Sequence, residues 1–462
     1  MLYQKSSILL KYRAKYIKDT IRALYTAEYF YYSIAALVLL FVAGYFYDFF
    51  FLMAKFLTGA FLFLCVLDFY QLFILKKETI RARRDLPTRL SNGDENFIRI
   101  YLQNAYSFKC YFVVIDEIPY QFQVRNMKMA FFLKSNQERI IEYALKPTVR
   151  GEYHFGYTNI FVRSPFQLFS KRYSIGPEKT MVKVYPSFLN MRKYELIAIA
   201  DRLPEMGIKK TRQKGAYTEF EQINEYVRGD NYRTINWKAT AKRAKLMVNH
   251  YQEERSQKVY LLIDMGRVMK MPFHGMTLLD YAINSSIAFA NAIMLKHDHP
   301  GLITFNDKVK TFQEAKKKTF TLQYMMENLY NQETLFGESN YELLTLFVKR
   351  KIKQRSLLVL FTNFEHVLSL QRQLKYFRML AQKHLLLVII FENEEIDPFL
   401  KNRAESIQDI YQQTIAHKFR YEKKLMIKEL NRNGILTIYA RPGNLTLSAI
   451  SKYIDIKNKG LF

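Results

Sequence analysis

The chain has 462 residues, of which 49% are hydrophobic and 16% aromatic, and its formal net charge is +28 at pH 7. This length is sufficient for two or three domains, and the apolar content excludes a disordered or low-complexity protein. The two cysteines, Cys65 and Cys110, exclude a disulfide framework and favour a reducing compartment, because Cys65 lies in an apolar run. The positive charge is compatible with nucleic acid, an anionic membrane or acidic proteins as partners.

Two long apolar stretches near the amino terminus, residues 30–47 and 49–75, predict a hairpin of transmembrane helices. A helix needs roughly 20 apolar residues to cross a bilayer, and no signal-peptide cleavage site separates the stretches. A hairpin in a soluble core is the alternative. Basic residues flank both outer ends, whereas the turn carries only Asp48, so the positive-inside rule predicts an inner-membrane protein with cytoplasmic termini. The roles of Lys55 and Asp68 within the second stretch stay open.

Short runs of β-forming residues, separated by turn residues, follow between residues 79 and 190, for example Tyr111–Ile115 and Met181–Tyr185. Several strands at such spacing predict an antiparallel β-sandwich of immunoglobulin-like type. His154 is a lone histidine among aromatic residues, and we interpret it as a packing residue rather than a metal ligand.

The densest group of polar side chains lies between residues 215 and 245. One carboxylate in this segment can accept hydrogen bonds from two guanidinium groups. We interpret the segment as an ion-pair network that fixes it to the following sheet. The alternative is a phosphate- or nucleic-acid-binding surface, because basic residues recur at helical spacing. The residues assigned to the network are Glu219, Arg228, Asp230, Arg233, Trp237 and Lys238.

From residue 259 onwards, apolar strands alternate with helical patterns, which predicts a mostly parallel, doubly wound α/β sheet. The run Val259–Ile263 has the pattern of a buried strand and ends on Asp264. Because ligands bind at the carboxyl ends of strands in such sheets, Asp264 marks the expected crevice.

Three segments, Tyr226–Asp230, Arg233–Ala239 and Leu261–Asp264, resemble the motif of the bacterial membrane family called domain of unknown function fifty-eight. The resemblance covers most of the chain and implies a von Willebrand factor type A-like domain. It also implies a MoxR-type AAA+ ATPase as partner, because such ATPases are commonly encoded beside members of the family. The expected layout is a basic cytoplasmic N-terminus (1–28), a transmembrane hairpin (29–76), a β-sandwich (77–190), a connecting segment (191–258) and the type A-like domain (259–462).

Type A domains that bind metal use an Asp-x-Ser-x-Ser loop, a threonine and a second aspartate, so the resemblance raises the question of a Mg²⁺ site at Asp264. Gly266 and Val268 occupy the two serine positions, and Asn363 stands where the second carboxylate is expected. We therefore expect no cofactor, with Asp264 satisfied by backbone amides of the next loop. The alternative is a weak oxygen site made of Asp264, Ser339, Asn363 and Glu365.

The sequence contains no glycine-rich phosphate loop, no Gly-x-Ser-x-Gly and no His-x-x-x-His. We therefore predict a non-enzymatic, membrane-anchored adaptor that serves the assembly or maturation of envelope proteins. Two alternatives stay open: a basic surface for anionic lipid or, less favoured, nucleic acid, and a Mg²⁺-dependent binder or enzyme with a degenerate site. The surface expected to contact the protein partner comprises Asp264, Gly266, Val268, Thr362, Asn363 and Glu365.

Overall fold

The protein folds, in a computed structural model, into two compact units, Met1–Val184 and Tyr185–Phe462. The structure describes residues 22–74, 79–125, 127–177, 179–189, 195, 219–227, 230, 232–252, 256–316, 320–334, 336–401 and 406–461.

The first unit begins with a short strand, β1 (Leu24–Thr26), and two apolar helices, α1 (Glu28–Gly44) and α2 (Asp48–Phe73). The 26-residue α2 is long and apolar enough to cross a membrane, whereas α1 is a shorter apolar helix of 17 residues. The predicted pair of apolar helices is therefore present, joined by a short turn.

Both ends of this helical hairpin are attached to the β-strands of the same unit. β1 pairs antiparallel with β10 (Phe169–Ile175). Asp68 of α2 is buried and accepts hydrogen bonds from the backbone amides of Leu168 (3.1 Å) and Phe169 (2.8 Å). Leu72, one turn later, lies in the hydrophobic core between the strands. The last turn of α2 is therefore part of the β-domain, and Asp68 is a packing residue that secures the helix to β10.

The β-domain of the first unit contains a five-stranded sheet, β1-β10-β9-β5-β6, and two three-stranded sheets, β2-β4-β7 and β3-β11-β8. Alternate residues of β4, namely Ile98, Ile100 and Leu102, are buried in its core. The predicted series of strands paired in antiparallel sheets is confirmed at this level. The remaining strands are β2 (Ile80–Asp85), β3 (Arg89–Ser91), β4 (Asn96–Asn104), β5 (Cys110–Asp116), β6 (Lys128–Leu133), β7 (Glu138–Leu145), β8 (Gly151–Phe155), β9 (Thr158–Arg163) and β11 (Thr180–Tyr185).

A buried ionic network joins two of these sheets. Asp116, the last residue of β5, contacts Arg84 Nη1 and accepts from Thr158 Oγ1 at 2.7 and 2.8 Å, and it also accepts from the hydroxyl of Tyr143. Arg84 and Tyr143 belong to the sheet of β2, β4 and β7, whereas Asp116 and Thr158 belong to the five-stranded sheet. Burial raises the pKa of Tyr143, and the charge of Asp116 raises it further, so this hydroxyl stays a proton donor.

In the second unit, a hairpin of β12 (Glu219–Glu225) and β13 (Met247–Gln252) encloses the short helix α3 (Trp237–Arg243). The side chain of Asn236 caps α3 by accepting from the amide of Ala239 at 3.0 Å.

The rest of the second unit is an α/β domain whose six-stranded sheet has the order β18-β17-β14-β19-β20-β21. All neighbouring strands are parallel except β18, which is antiparallel to β17. Counted from β14, this order is 3-2-1-4-5-6, that of a doubly wound sheet. The predicted mostly parallel α/β sheet is confirmed. Its strands are β14 (Lys258–Asp264), β17 (His299–Phe305), β18 (Val309–Gln313), β19 (Leu357–Thr362), β20 (Leu385–Phe391) and β21 (Leu436–Ala440); β15 (Pro272–Phe273) and β16 (Met276–Thr277) form a separate small hairpin.

Helices cover both faces of this sheet. Val259, Leu261 and Ile263 of β14 pack against α4, α5 and α10, whereas Tyr260 and Leu262 pack against α6, α7 and α9. Helix α4 is also apolar enough to cross a membrane, but most of it is buried in this core. The helices are α4 (Leu278–Leu295), α5 (Thr321–Leu329), α6 (Tyr341–Lys351), α7 (Val367–Lys383), α8 (Asp397–Lys401), α9 (Ile407–Arg432) and α10 (Leu445–Asn458).

Candidate functional site

The central strand β14 ends at the point where the connections of the sheet diverge. Helix α4 leads from β14 to β17 on one face, and helix α6 leads into β19 on the other face. A crevice opens beyond the carboxyl ends of the strands at such a switch point. Asp264 lies there, fully buried, as the sequence predicted for the centre of the site.

Four protein groups surround the carboxylate of Asp264. Its Oδ1 accepts from the backbone amide of Gly266 at 2.8 Å and from the hydroxyl of Ser339. Its Oδ2 accepts from the hydroxyls of Tyr341 and Thr362, each at 2.7 Å. A carboxylate offers about four acceptor positions, and all of them are used here by donors of the protein itself.

Ser339 explains why glycine stands at the first serine position of the metal-binding pattern. A Cβ atom on Gly266 would collide with Ser339 Oγ and would lie 3.2 Å from Asp264 Oδ1. The hydroxyl beside Asp264 therefore comes from the loop before α6 instead of from the loop after β14. Val268, at the second serine position, packs against the hydrophobic core.

Sequence reasoning missed Tyr341, the group that completes this arrangement. Its ring is packed among Phe305, Phe364 and Phe377, with centroid distances of 5.6, 5.9 and 5.2 Å. Burial raises the pKa of Tyr341 well above its ordinary value, and the charge of Asp264 adds to the rise, so the phenol remains a donor. The available signal was its place next to Ser339-Asn340, since Asn340 caps α6 by accepting from the amide of Leu343 at 2.9 Å.

Asn363 and Glu365 belong to a different set of contacts. Lys423 of α9 donates to Asn363 Oδ1 at 2.7 Å and to the carbonyl of Phe364. Burial lowers the pKa of Lys423 to about 8, while the nearby carboxylates of Glu365 and Glu422 act in the opposite direction. Within the described chain, hydrogen bonds join Ser339 and Thr362 to Asp264, but not Asn363 or Glu365.

These residues do not fit a Mg²⁺ ion, which requires oxygen ligands in octahedral geometry and retains several waters. Each oxygen of Asp264 already accepts two hydrogen bonds, and an ammonium group lies on Asn363, where a second ligand is needed. Over the residues that the structure describes, no three histidine, cysteine, aspartate or glutamate side chains form a group that could hold a metal.

Most of the residues predicted to contact a partner are not at the surface. Asp264, Gly266, Thr362 and Asn363 are buried, and of the predicted set only Glu365 is exposed while Val268 is half-buried. They are buried because the loops close over Asp264 to satisfy its charge. The surface at this edge is formed instead by neighbouring residues: Arg267 and Lys270 are exposed, and Phe336 is 74% exposed with Lys270 Nζ 3.6 Å from its ring centroid.

The motif between β12 and α3 is described only in part. Asp230 Oδ2 accepts from the amide of Val227 at 3.1 Å, and the guanidinium of Arg233 lies 5.8 Å from the ring centroid of Tyr232. Arg228 and the side chain of Glu219 lie outside the described residues, so the turn with two arginines stays a prediction. Trp237 and Lys238 are exposed, the tryptophan by 69%.

Comparison with known proteins identifies a family. The sequence profile of the family described as "Protein of unknown function DUF58" matches residues 222–398, which confirms the predicted family over that part of the chain. "Uncharacterized protein YeaD" of Bacillus subtilis is 24% identical over 185 residues, which cover 38% of this chain and 45% of that protein. The chain thus spans less than half the length of this relative.

Solved structures show only weak likeness. The ASH/PapD-like domain of human CEP192 is 12% identical and covers 25% of this chain and 92% of its own, with a TM-score of 0.19. The CARDB domain of PF1109 from Pyrococcus furiosus is 11% identical and covers 21% and 92%, with a TM-score of 0.15. An uncharacterized membrane spanning protein from Vibrio fischeri is 14% identical and covers 44% and 99%, with a TM-score of 0.15.

Proposed function

Residues 222–398 belong to the DUF58 family, and from this premise we propose that the chain is a membrane-anchored, non-enzymatic adaptor. Its α/β domain presents the carboxyl edge of the sheet to a protein partner, which by family resemblance is a MoxR-type AAA+ ATPase. The process served is the assembly or maturation of envelope proteins. The observation that carries the proposal is the closed shell around Asp264, whose acceptor positions are all used internally. A saturated carboxylate supports a binding surface and offers no free base.

The sheet order supports a von Willebrand factor type A-like domain, as the resemblance implies. The strand order 3-2-1-4-5-6 has its single antiparallel strand, β18, at the edge. An aspartate ends the first strand, as in the metal-binding members of that class. Here the same position serves to order the loops from which the contact surface is built.

The helical hairpin supports membrane anchoring. Between Asp48 and Asp68, α2 is about 30 Å long at 1.5 Å per residue, which matches the hydrocarbon thickness of a bilayer. Exposed aromatic residues lie near both ends of the hairpin, where the interfaces of a membrane favour them. They are Tyr29, Tyr31 and Tyr32 at one end, and Tyr45, Phe46 and Tyr47 at the other. With the basic flanks in the cytoplasm, the expected location is the inner membrane.

Phe336 and Lys270 form the expected anchor for the partner. An exposed aromatic ring beside a cation is a composition enriched at the energetic centres of protein interfaces. Both side chains lie on the loops that Asp264 orders, because the amide of Arg267 donates to the carbonyl of Gly337 at 3.1 Å.

The test is affinity capture of the full chain from membranes after mild crosslinking, with mass spectrometry of the captured proteins. We expect an AAA+ ATPase to be enriched over an unrelated membrane protein, and Phe336→Glu to remove that enrichment. Leu346→Glu, at a 58% exposed position of α6, is the matched control and should retain it. If no AAA+ ATPase is enriched with the native chain, the adaptor proposal fails.

A second candidate function rests on the segment around α3. Trp237, Lys238, Lys242 and Arg243 are all exposed, and basic residues with an aromatic side chain are typical of segments that bind an anionic membrane surface. Trp237 is the single tryptophan of the chain, so its fluorescence reports on this segment alone. In nanodiscs, an emission that shifts to shorter wavelength with anionic lipid, and reverts at high salt, supports the second function. Identical emission in neutral and anionic nanodiscs excludes it.

A further inference from the structure

Helix α9 carries a second apolar stripe on the side opposite to its core contacts. Its buried residues are Ala416, Met426 and Leu430, which fall within about 80° of one another at 3.6 residues per turn. Roughly 150° away on the same helical projection lies a row of side chains that are between 36% and 76% exposed. The row consists of Ile407, Ile410, Tyr411, Tyr421 and Leu425.

The position of α9 leaves this stripe free of the sheet. Lys423 contacts Asn363 directly after β19, so this residue marks where the helix passes the carboxyl edge of the sheet. The sixteen residues before it extend about 24 Å along the helix axis. Helix α8 covers their inner side through the ion pair of Arg420 with Asp397. The outer side carries the apolar stripe, although the outer face of a surface helix is normally polar.

We propose that this stripe packs against the same stripe of a second copy of the chain, with the two helices antiparallel. The stripe positions are 407, 411, 414, 418, 421 and 425, with successive spacings of four, three, four, three and four. Alternate spacings of three and four make a continuous seam for a partner helix. Because the series is the same from either end, antiparallel pairing places Ile407 against the partner's Leu425 and Tyr411 against the partner's Tyr421. Thr414 and Lys418 then meet at the centre of the seam.

Charge complementarity favours the antiparallel arrangement and a protein occupant. Residues 407–416 contain one acidic and no basic residue, although the whole chain has a net charge of +28. Residues 417–425 contain four basic residues and one acidic residue. A parallel pair would align the two basic halves, and like charges placed opposite one another oppose association. An antiparallel pair places each basic half against the half that contains Asp409. Lipid headgroups and nucleic acid are poor occupants because the first half offers them no cation.

The surface closes into a dimer because each copy supplies the same stripe once. Such an isologous contact forms a two-fold dimer and does not propagate into a chain. The contact is one helix pair and therefore small, so anchoring of both copies in one membrane raises its occupancy through effective concentration. This inference does not depend on which ATPase or lipid the rest of the chain binds.

Disulfide trapping in membranes tests the pairing. Two differently tagged full-length chains, Ile407→Cys and Leu425→Cys, are co-expressed in a Cys65→Ser background and oxidised with copper phenanthroline. The antiparallel pair brings these two positions together, whereas two copies of either position are about 27 Å apart at 1.5 Å per residue. We expect a disulfide between the two different variants and none within either variant alone. Ile407→Cys with Leu346→Cys, on the exposed face of α6, is the control and should not crosslink.

A second measurement does not require cysteine chemistry. Tyr411→Glu should weaken dimerisation at least tenfold, measured by analytical ultracentrifugation in mild detergent, while Leu346→Glu should not change it. Tyr411 is 68% exposed, so the variant should keep the native melting temperature. A native chain that stays monomeric, a dimer that ignores Tyr411→Glu, or self-crosslinking of Ile407→Cys alone would each overturn the proposal.

Discussion

Two buried aspartates, one in each unit, end a β-strand and show how this protein keeps a charge away from water. Asp116 ends β5 and Asp264 ends β14. Each accepts from a tyrosine hydroxyl and a threonine hydroxyl. The difference lies in the remaining contacts: Asp116 has the guanidinium of Arg84, whereas Asp264 has only the amide of Gly266 and the hydroxyl of Ser339.

The comparison shows that a buried carboxylate needs either a cation or enough neutral donors, since an unpaired buried charge costs several kcal/mol. The cation solution ties two sheets together through Asp116. The neutral solution gathers three loops around Asp264. Because the neutral shell is already complete, the carboxylate does not need an external ion, although it stands where related folds bind one.

The largest effect is expected from Asp116→Ala. The substitution leaves Arg84, whose side chain is only 4% exposed, buried without its carboxylate, and removal of one partner of a buried ion pair costs about 3–5 kcal/mol. The free energy of unfolding, measured by urea titration of the full chain in mild detergent with circular dichroism, checks this.

The matched control is Glu142→Ala, which breaks the exposed pair with Arg99 in the same β-domain and should leave the unfolding curve in place. The double variant Arg84→Met, Asp116→Leu should recover most of the lost stability, because replacing both charges by apolar groups removes the unpaired cation. A double variant as unstable as Asp116→Ala would show that the sheets need this ion pair for more than charge compensation.

Asp264→Ala should cost less than Asp116→Ala. It leaves hydroxyl and amide donors without an acceptor, but no buried charge, and unsatisfied donors cost about 2–3 kcal/mol where some can find new partners. Hydrogen exchange of the loops at residues 265–270 and 337–341 should rise, because Asp264 holds both. A loss equal to that of Asp116→Ala would contradict the distinction between the two carboxylates.

The sequence was sufficient for the sheet but not for the shell around Asp264. Apolar runs at regular intervals predicted the strands, and the end of the first run predicted where Asp264 lies. The predicted satisfaction by backbone amides is right for Gly266 only. Ser339, Tyr341 and Thr362 come from two later loops, and contacts over 75 or more positions depend on packing that one sequence does not reveal.

Asp116 illustrates the same limit in the first unit. The strand pattern Tyr111–Ile115 was recognised, but the aspartate immediately after it was not. Its position differs little in sequence from that of Asp264, since both follow a run of β-branched and aromatic residues. What distinguishes Asp116 is an arginine 32 positions earlier, in a strand whose alternating pattern is mostly charged and therefore gave no sign that Arg84 is buried.

His384 extends the comparison to a buried group that has neither a counter-ion nor donors. Its two ring nitrogens are buried and lack hydrogen-bond partners within the part of the chain that the structure describes. Burial lowers the pKa of His384 to about 4, and the charge of Lys383 adds to this. The unfolded chain takes up this proton near pH 6.5 and the folded chain only near 4, so stability should fall by roughly 2 kcal/mol as the pH drops across this interval.

In His384→Leu that part of the acid sensitivity should disappear. Melting temperatures at several pH values between 4 and 7 give the comparison. His154, which is exposed, is the matched control, and His154→Leu should keep the slope of the native chain. Parallel slopes for His384→Leu and the native chain would show that water reaches the ring of His384 in the folded state.

The smallest expected effect is that of Mg²⁺, and it tests the neutral shell directly. A Mg²⁺ ion binds its ligands at about 2.0–2.1 Å in octahedral geometry, so it would have to displace the hydroxyls of Tyr341 and Thr362 from Asp264 Oδ2. Tyr341 is held by three aromatic rings, and its replacement would break two hydrogen bonds. A ligand stabilises a protein only in proportion to its binding to the folded state. The melting temperature of the native chain should therefore be the same with 10 mM Mg²⁺, about its upper working concentration for weak sites, as with a chelator. A rise in the native chain that is absent in Asp264→Ala would mean that the hydroxyl shell opens for a metal, and the contrast with Asp116 would then be one of occupancy rather than of chemistry.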